Sequence, residues 1–289
     1  MVVVPAEILG YCMGVRRAVE RALAALEAHK GGKVYSLGPL IHNRRALEAL
    51  SERGLSILED GCAAKAEPGS CVIVRAHGVP PETVRLLSEK NCAVVDATCP
   101  RVVASQKRAA QYAAMGYTVL FAGDKNHGEV AGIAGYAGPE FILVQNREEA
   151  AALPALSGRA ALMSQTTFSP VEFAAIAEIL SKKCRSLEVV NTICPATRER
   201  QEALLRLCPR VDGVLVVGGR NSANTRRLLQ TAEAHCRSAA LIECAAEIPA
   251  PFFRLETVGI TAGASTPDSA IEEVRGALLG RAAGCADGR

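Results

Sequence analysis

The chain has 289 residues, 49% of them hydrophobic and 22% charged, which is ample apolar material for the cores of two or three compact units. A formal net charge of +3, no tryptophan and only 4% aromatic residues argue against a nucleic-acid or membrane binder, because both a strong basic field and a stacking platform are missing. No apolar run reaches the length of a membrane span, and the opening MVVVPAEILG lacks the basic stretch of a secretory signal, so a cytoplasmic protein with reduced thiols is expected.

In chain order, MVVV reads as a first strand that leads to Cys12 and a helix. In that helix Val15, Ala18, Val19, Ala22, Leu23 and Leu26 fall at helical spacing, and Gly31-Gly32 stops it. KVYSL is the next strand, with His42 in the loop after it. CVIVRA runs into His77 and a glycine. The segment AVVDATCP carries an apolar run into Cys99 and Pro100, and a helix follows as far as Gly116. YTVLFAG leads to GDKNHGEV, which holds His127 and Glu129. RAALMS leads to Gln165-Thr166-Thr167. EVVNTICP then repeats the AVVDATCP layout around Cys194 and Pro195, with a helix that ends before Pro209. GVLVVGG leads to Asn221-Ser222-Ala223-Asn224, and TVGITAG to Ala264-Ser265-Thr266-Pro267-Asp268. His29 and His235 lie in helical runs and read as surface residues, and the tail RAAGCADGR reads as frayed.

Alternating strands and amphipathic helices predict an α/β protein of three similar small domains. The cysteine turns divide it into residues 1–97, 98–192 and 193–281, with a tail at 282–289. A cysteine between a strand and a helix sits where α/β proteins gather ligands, and its thiolate faces a helix N-terminus. Proline at 100 and 195 suits the first helical position. Three such thiols could converge on one metal centre, and three ligands leave a tetrahedral metal or a cubane iron one position short. No CxxC occurs among the eleven cysteines, which removes zinc ribbons and thioredoxin-like sites; most of the others read as buried thiols that behave as small hydrophobes.

His42, His77 and His127 each follow a strand, and together could bind an anion, relay protons or hold a metal. Glu129 reads either as a general acid or as a solvated loop acid. The loops around Thr166, Ser222, Asn224 and Ser265 put hydroxyls or amides at helix starts, which makes them phosphate cradles or plain N-caps. Nucleotide signatures are missing. GDKNHGE has P-loop glycine spacing but Glu129 where lysine is required, and VVGGRNSAN is not GxGxxG. Two readings compete with an iron–sulfur enzyme: a non-catalytic redox sensor with a phosphorylated ligand, and a Cys/His hydrolase, which would need one nucleophile rather than three equivalent cysteines.

The stretches GYCMGVRRA, IHN, RAHGV, DATCP, NHGEV, SQTT, TIC-x-AT-x-x-RQ, VVGGRNSAN and GITAGAS, in this order, resemble the 4-hydroxy-3-methylbut-2-enyl diphosphate reductase family of the non-mevalonate isoprenoid pathway. The resemblance implies a trefoil of three α/β domains around a [4Fe-4S] cluster. It implies Cys12, Cys99 and Cys194 as cluster ligands, with one iron open to the substrate hydroxyl. It makes His42, His77 and His127 the lining of the diphosphate pocket, Glu129 the proton donor, and Thr166, Ser222, Asn224 and Ser265 binders of substrate. The implied reaction is reductive dehydroxylation of the allylic diphosphate to isopentenyl and dimethylallyl diphosphates. Its electrons would come from an external ferredoxin or flavodoxin type of donor. The chain departs from the family pattern at Arg16, where a polar or acidic residue is commoner, and at Ala223, a frequent serine. It departs again at Gly128, where proline is usual and glycine is expected to loosen the loop.

Overall fold

The computed structural model describes residues 1–59 and 61–280; the expected tail at 282–289, including Cys285, lies outside the described residues. The chain begins β1 (Val2–Pro5), α1 (Met13–Ala28), β2 (Val34–Leu37), α2 (Arg44–Ser51), β3 (Leu55–Leu58), β4 (Cys71–Val74), α3 (Pro81–Glu89) and β5 (Ala93–Asp96). It continues through α4 (Pro100–Ala114), β6 (Thr118–Ala122), α5 (Gly128–Ala137), β7 (Phe141–Val144), α6 (Arg147–Ala152), β8 (Leu156–Ser164), α7 (Pro170–Ser181) and β9 (Cys184–Val189). The last part is α8 (Pro195–Leu207), β10 (Gly213–Val217), α9 (Ala223–His235), β11 (Ala239–Ile242), β12 (Thr257–Ala262) and α10 (Asp268–Leu278).

The strands form three four-stranded sheets, ordered β3-β2-β4-β5, β7-β6-β8-β9 and β1-β12-β10-β11, with every pairing parallel. The expected α/β class with three similar sheets is what the chain adopts. The expected boundaries need correction. β1 does not join the first sheet; it pairs with β12, Val3 opposite Val258. A cysteine turn therefore closes each sheet instead of opening the next: Cys99 follows β5, Cys194 follows β9, and Cys12 follows β1, all three being edge strands. The reason is repeat closure. Among the described residues no strand follows β12, and VVVP of β1 fills that edge. Pro5 is tolerated there because an edge strand can spare an N–H.

By contacts the chain forms two compact units. One comprises Met1–Cys12, His42–Ala46 and the chain from Pro195 through α10; the other comprises Met13–Ile41 and Leu47–Cys194. Within the first, the two faces of β10 go to two cores. Val214 and Val216 pack with Leu204, Leu207 and Leu228, while Leu215 and Val217 pack with Ile260, Ile271 and Val274. Within the second, β6 divides in the same way. Leu120 and Ala122 face Phe173, Ile176 and Leu180, while Val119 and Phe121 face Ala109, Val130 and Ile133. Strands covered on both faces read as unbroken apolar runs, which is why TVLFA and GVLVV are legible as strands.

Four helices begin at proline, Pro81, Pro100, Pro170 and Pro195, where a missing N–H leaves nothing unmade. Phe121 is fully buried, its ring 6.0 Å from that of Phe141. Phe121→Ala should cost about 3–5 kcal/mol of stability. Urea denaturation of the two proteins side by side measures it, and a loss under 1 kcal/mol, of the size expected for a surface change, would contradict this packing.

Candidate active site

In a parallel sheet all carboxyl ends point one way, and the loops leaving them share one rim. Each candidate residue leaves such an end. His42 follows β2, His127 follows β6, and the Asn221–Asn224 loop follows β10. His77 follows β4, Thr166 follows β8, and Ser265 follows β12. The three cysteines follow the edge strands. The repeats thus supply corresponding positions, with imidazole in some and hydroxyl or amide in others.

In the unit that contains the third sheet, the Cys12 amide donates to the Ala264 carbonyl at 3.0 Å, which ties this thiol to the loop after β12. Arg200, only 3% exposed on α8, donates to the Gly10 carbonyl at 2.7 Å and to the Ala196 carbonyl at 3.1 Å. It clamps the segment before Cys12. Gly10 has φ +78°, and a Cβ there would run into the Asp268 carboxylate, so both backbone and space require glycine. The Ser265 hydroxyl donates to the His42 carbonyl at 3.0 Å. Ser222 caps α9, its Oγ accepting the Thr225 N–H at 3.3 Å. Asn224 is 3% exposed, and neither its Oδ1 nor its Nδ2 has a hydrogen-bond partner among the described residues. Leaving a buried amide unpaired costs about 1–3 kcal/mol for each group, which makes this side chain a candidate for contact with a polar ligand.

In the other unit Cys99 is the N-cap of α4, and its N–H donates to the Ala76 carbonyl at 2.9 Å. Arg17 and Arg21 of α1 donate to the carbonyls of Thr98 (2.7 Å) and Asp96 (2.6 Å) and hold the turn before the thiol. Gly14, two residues beyond Cys12 in the chain, has Cys99 Sγ 2.5 Å from where a Cβ would stand. The Cys194 N–H donates to the Thr166 carbonyl at 2.8 Å. Thr166 also holds Glu129: its N–H and its Oγ–H each donate to that carboxyl group at 2.7 Å. Glu129 is 1% exposed, so the reading of a solvated loop acid fails.

His127 caps α5, and its Nδ1 accepts the Glu129 N–H at 3.2 Å. With Nδ1 as acceptor, a neutral ring carries its proton on Nε2, which leaves that atom a donor. The His77 ring meets the His127 ring edge-on, with centroids 5.2 Å apart. Gln165 couples the loops after β6 and β8, accepting from the Asp124 N–H at 2.9 Å and donating to Thr167 Oγ1 at 2.8 Å.

The remaining thiols behave differently. Burial pushes the thiols of Cys71 and Cys184 up. Burial, then a hydrogen bond with Cys208, does the same to Cys236. A raised thiol stays protonated and is a poor metal ligand. Cys12, Cys99 and Cys194 are instead half-buried and sit at the starts of α1, α4 and α8. His29 ends against the Ala25 carbonyl of its own helix, and His235 lies exposed at the end of α9. Neither joins a site.

Three parallel sheets that offer thiols, imidazoles, a gripped carboxyl group and capping hydroxyls at their strand ends define an α/β enzyme of the strand-end type. The LytB protein family model matches residues 3–279, and the chain belongs to that family. A protein of Treponema denticola named 4-hydroxy-3-methylbut-2-enyl diphosphate reductase is 46% identical, over 96% of this chain and 99% of its own. A protein of the same name from a Thermoanaerobacter species is 38% identical over 95% of each chain. Among solved structures, the E-1-hydroxy-2-methyl-but-2-enyl-4-diphosphate reductase of Plasmodium falciparum superposes with a TM-score of 0.88 at 27% identity, over 94% of this chain and 86% of that one. An (E)-4-hydroxy-3-methyl-but-2-enyl diphosphate reductase, titled the terminal enzyme of the non-mevalonate pathway, gives 0.70 at 38% identity, over 97% of this chain and 100% of that one.

Sequence reasoning did not single out Arg75 or Gly14. The available signal for Arg75 was a charge set directly after the apolar run CVIV and two residues before His77. Gly14 gives a direct test. It lies in α1, where alanine is favoured over glycine by about 1 kcal/mol. Gly14→Ala should therefore keep the fold but drive Cys99 Sγ from its place. Anaerobic reconstitution should then load several-fold less iron and sulfide than wild type, and an unchanged metal content would show that Cys99 needs no such notch.

Proposed function

We propose that this chain is a 4-hydroxy-3-methylbut-2-enyl diphosphate reductase. It performs the two-electron reductive dehydroxylation of that allylic diphosphate to isopentenyl and dimethylallyl diphosphates. The observation that supports this best is the Thr166 loop. One residue holds a buried carboxyl group through its N–H and hydroxyl and a thiol-bearing turn through its carbonyl, which couples a proton source to a metal ligand.

Cys12, Cys99 and Cys194 would hold a [4Fe-4S] cluster. The donor set fits: each is a half-buried thiol just ahead of an α-helix, whereas Cys62 and Cys244 precede only short 3-10 turns and burial raises Cys71, Cys184 and Cys236. When bound, such a cluster supplies one-electron reduction and Lewis-acid polarisation of a leaving oxygen.

The protein's own groups do the rest. His42, His77 and His127 line the diphosphate pocket, with Nε2–H of His127 as a donor. Ser222, Asn224 and Ser265 bind substrate, and the unpaired Asn224 amide finds its partners there. Glu129 delivers a proton toward the departing oxygen, directly or through neighbouring groups. The allylic C–O bond breaks, water leaves, and a C–H bond forms from two electrons and a proton.

The electrons come from an external carrier of ferredoxin or flavodoxin type. A reducing compartment, the cytoplasm, suits eleven cysteines. Among the described residues no helix is long and apolar enough to cross a membrane.

Anaerobic turnover with a chemical reductant tests the reading. Glu129→Gln should still bind substrate while kcat falls by about 10²–10⁴-fold; near-normal turnover would place the proton source elsewhere. Cys12→Ser, Cys99→Ser and Cys194→Ser should each lose cluster or activity, and Cys285→Ser neither. Equal tolerance at all four would refute the ligand set.

A further inference from the structure

Gly128 was expected to loosen its loop. The structure instead makes it the first residue of α5, between His127 and Glu129, and fills the space beside it. A Cβ on Gly128 would stand 2.5 Å from Cζ and 2.9 Å from Nε of Arg75, and closer still to Nη2. The guanidinium occupies the volume that any side chain at 128 would need. It cannot simply swing out to water, since Arg75 is 5% exposed. It leaves the end of β4, two residues before His77, whose ring meets that of His127. One buried planar cation thus braces the single turn that carries both the His127 cap and the Glu129 carboxyl group.

We propose that Arg75 is a positioning residue for His127 and Glu129, and that Gly128 is the notch that admits it. The assignment rests on the reductase reading and adds to it a residue pair. Arg75 acts through the turn. With the guanidinium seated against Gly128, the first turn of α5 cannot shift toward β4, so Nδ1 of His127 stays on the Glu129 N–H and the Glu129 carboxyl group stays on Thr166. A methyl group at 128 would unseat the guanidinium; without the guanidinium, the same methyl group would fit the vacated space.

The test is a double-mutant cycle on the holoenzyme with Arg75→Met, Gly128→Ala and both together. Turnover of the allylic diphosphate and calorimetric affinity for inorganic diphosphate are read in parallel. Each single variant should lower kcat on the order of 10–100-fold, with a smaller change in KM, because a misplacement of about 1 Å at the proton donor acts on the chemical step. Each should also weaken inorganic diphosphate through His127. The double variant should be no worse than Arg75→Met alone. Losses that multiply in the double variant, or a Gly128→Ala enzyme with wild-type constants, would overturn the assignment. Should Gly128→Ala fail to fold, the double variant decides: recovery of the fold supports the notch, and continued misfolding refutes it. Wild-type protein that binds diphosphate but never turns over the allylic substrate would sink the reductase reading, and the pattern of diphosphate affinities would still judge the pair.

Discussion

The rest of the structure depends on pairing geometry. Parallel strands register side by side with their carboxyl ends at one edge, so a repeated sheet repeats its loop positions as well. Here the three sheets have the same order, a strand followed by a cysteine turn at one edge, two central strands, and a short strand at the other edge. What differs between them is the residue at each loop. Thiols stand at all three edge positions, and imidazoles or small polar groups stand at the central ones. β1 is the strand that makes the third edge position exist, because it carries the chain's amino-terminal segment onto β12.

Chemical selection among the cysteines then follows from environment. A thiol within a strand or core gains nothing from ionisation and loses solvation, which is the state of Cys71 in β4 and Cys184 in β9. A thiol ahead of the first turn of a helix faces N–H groups that have no intrahelical partners. Proline at 100 and 195 removes one of those N–H groups and presets the backbone of the turn. Identical side chains are thereby given different environments by their place along strand and helix, which is the basis for proposing some as ligands and others as packing.

Much of this was legible in the chain itself. AVVDATCP and EVVNTICP announce strand, thiol and helix start because each signal is local: an apolar run, then a proline where helices accept one. The strands before His42, His77, His127, Thr166, Ser222 and Ser265 were readable as largely apolar runs because both their faces are covered. The strands β3, β7 and β11 were not, because four residues alone do not distinguish a strand from a stretch of helix. The partner of β1 could not be read either. Its pairing is decided by an open edge more than two hundred residues away, and no local pattern encodes that. Gly128 was misread for a similar reason. A glycine looks permissive in a sequence, and only the packed structure shows the Arg75 guanidinium in the space it leaves.

Two buried polar side chains in these loops handle polarity in opposite ways. At Glu129 a carboxyl group is buried at a cost that two donors from Thr166 and the start of α5 offset, so this group is held before any ligand arrives. At Asn224 a whole amide is buried without a hydrogen-bond partner for its side chain among the described residues. The first arrangement holds its group in one place; the second leaves an unmet demand of about 1–3 kcal/mol for each polar group. Under the proposed function the difference follows from the two tasks: a proton donor should not have to search for its position, whereas a binding amide gains selectivity by being worth nothing until the right partner meets it.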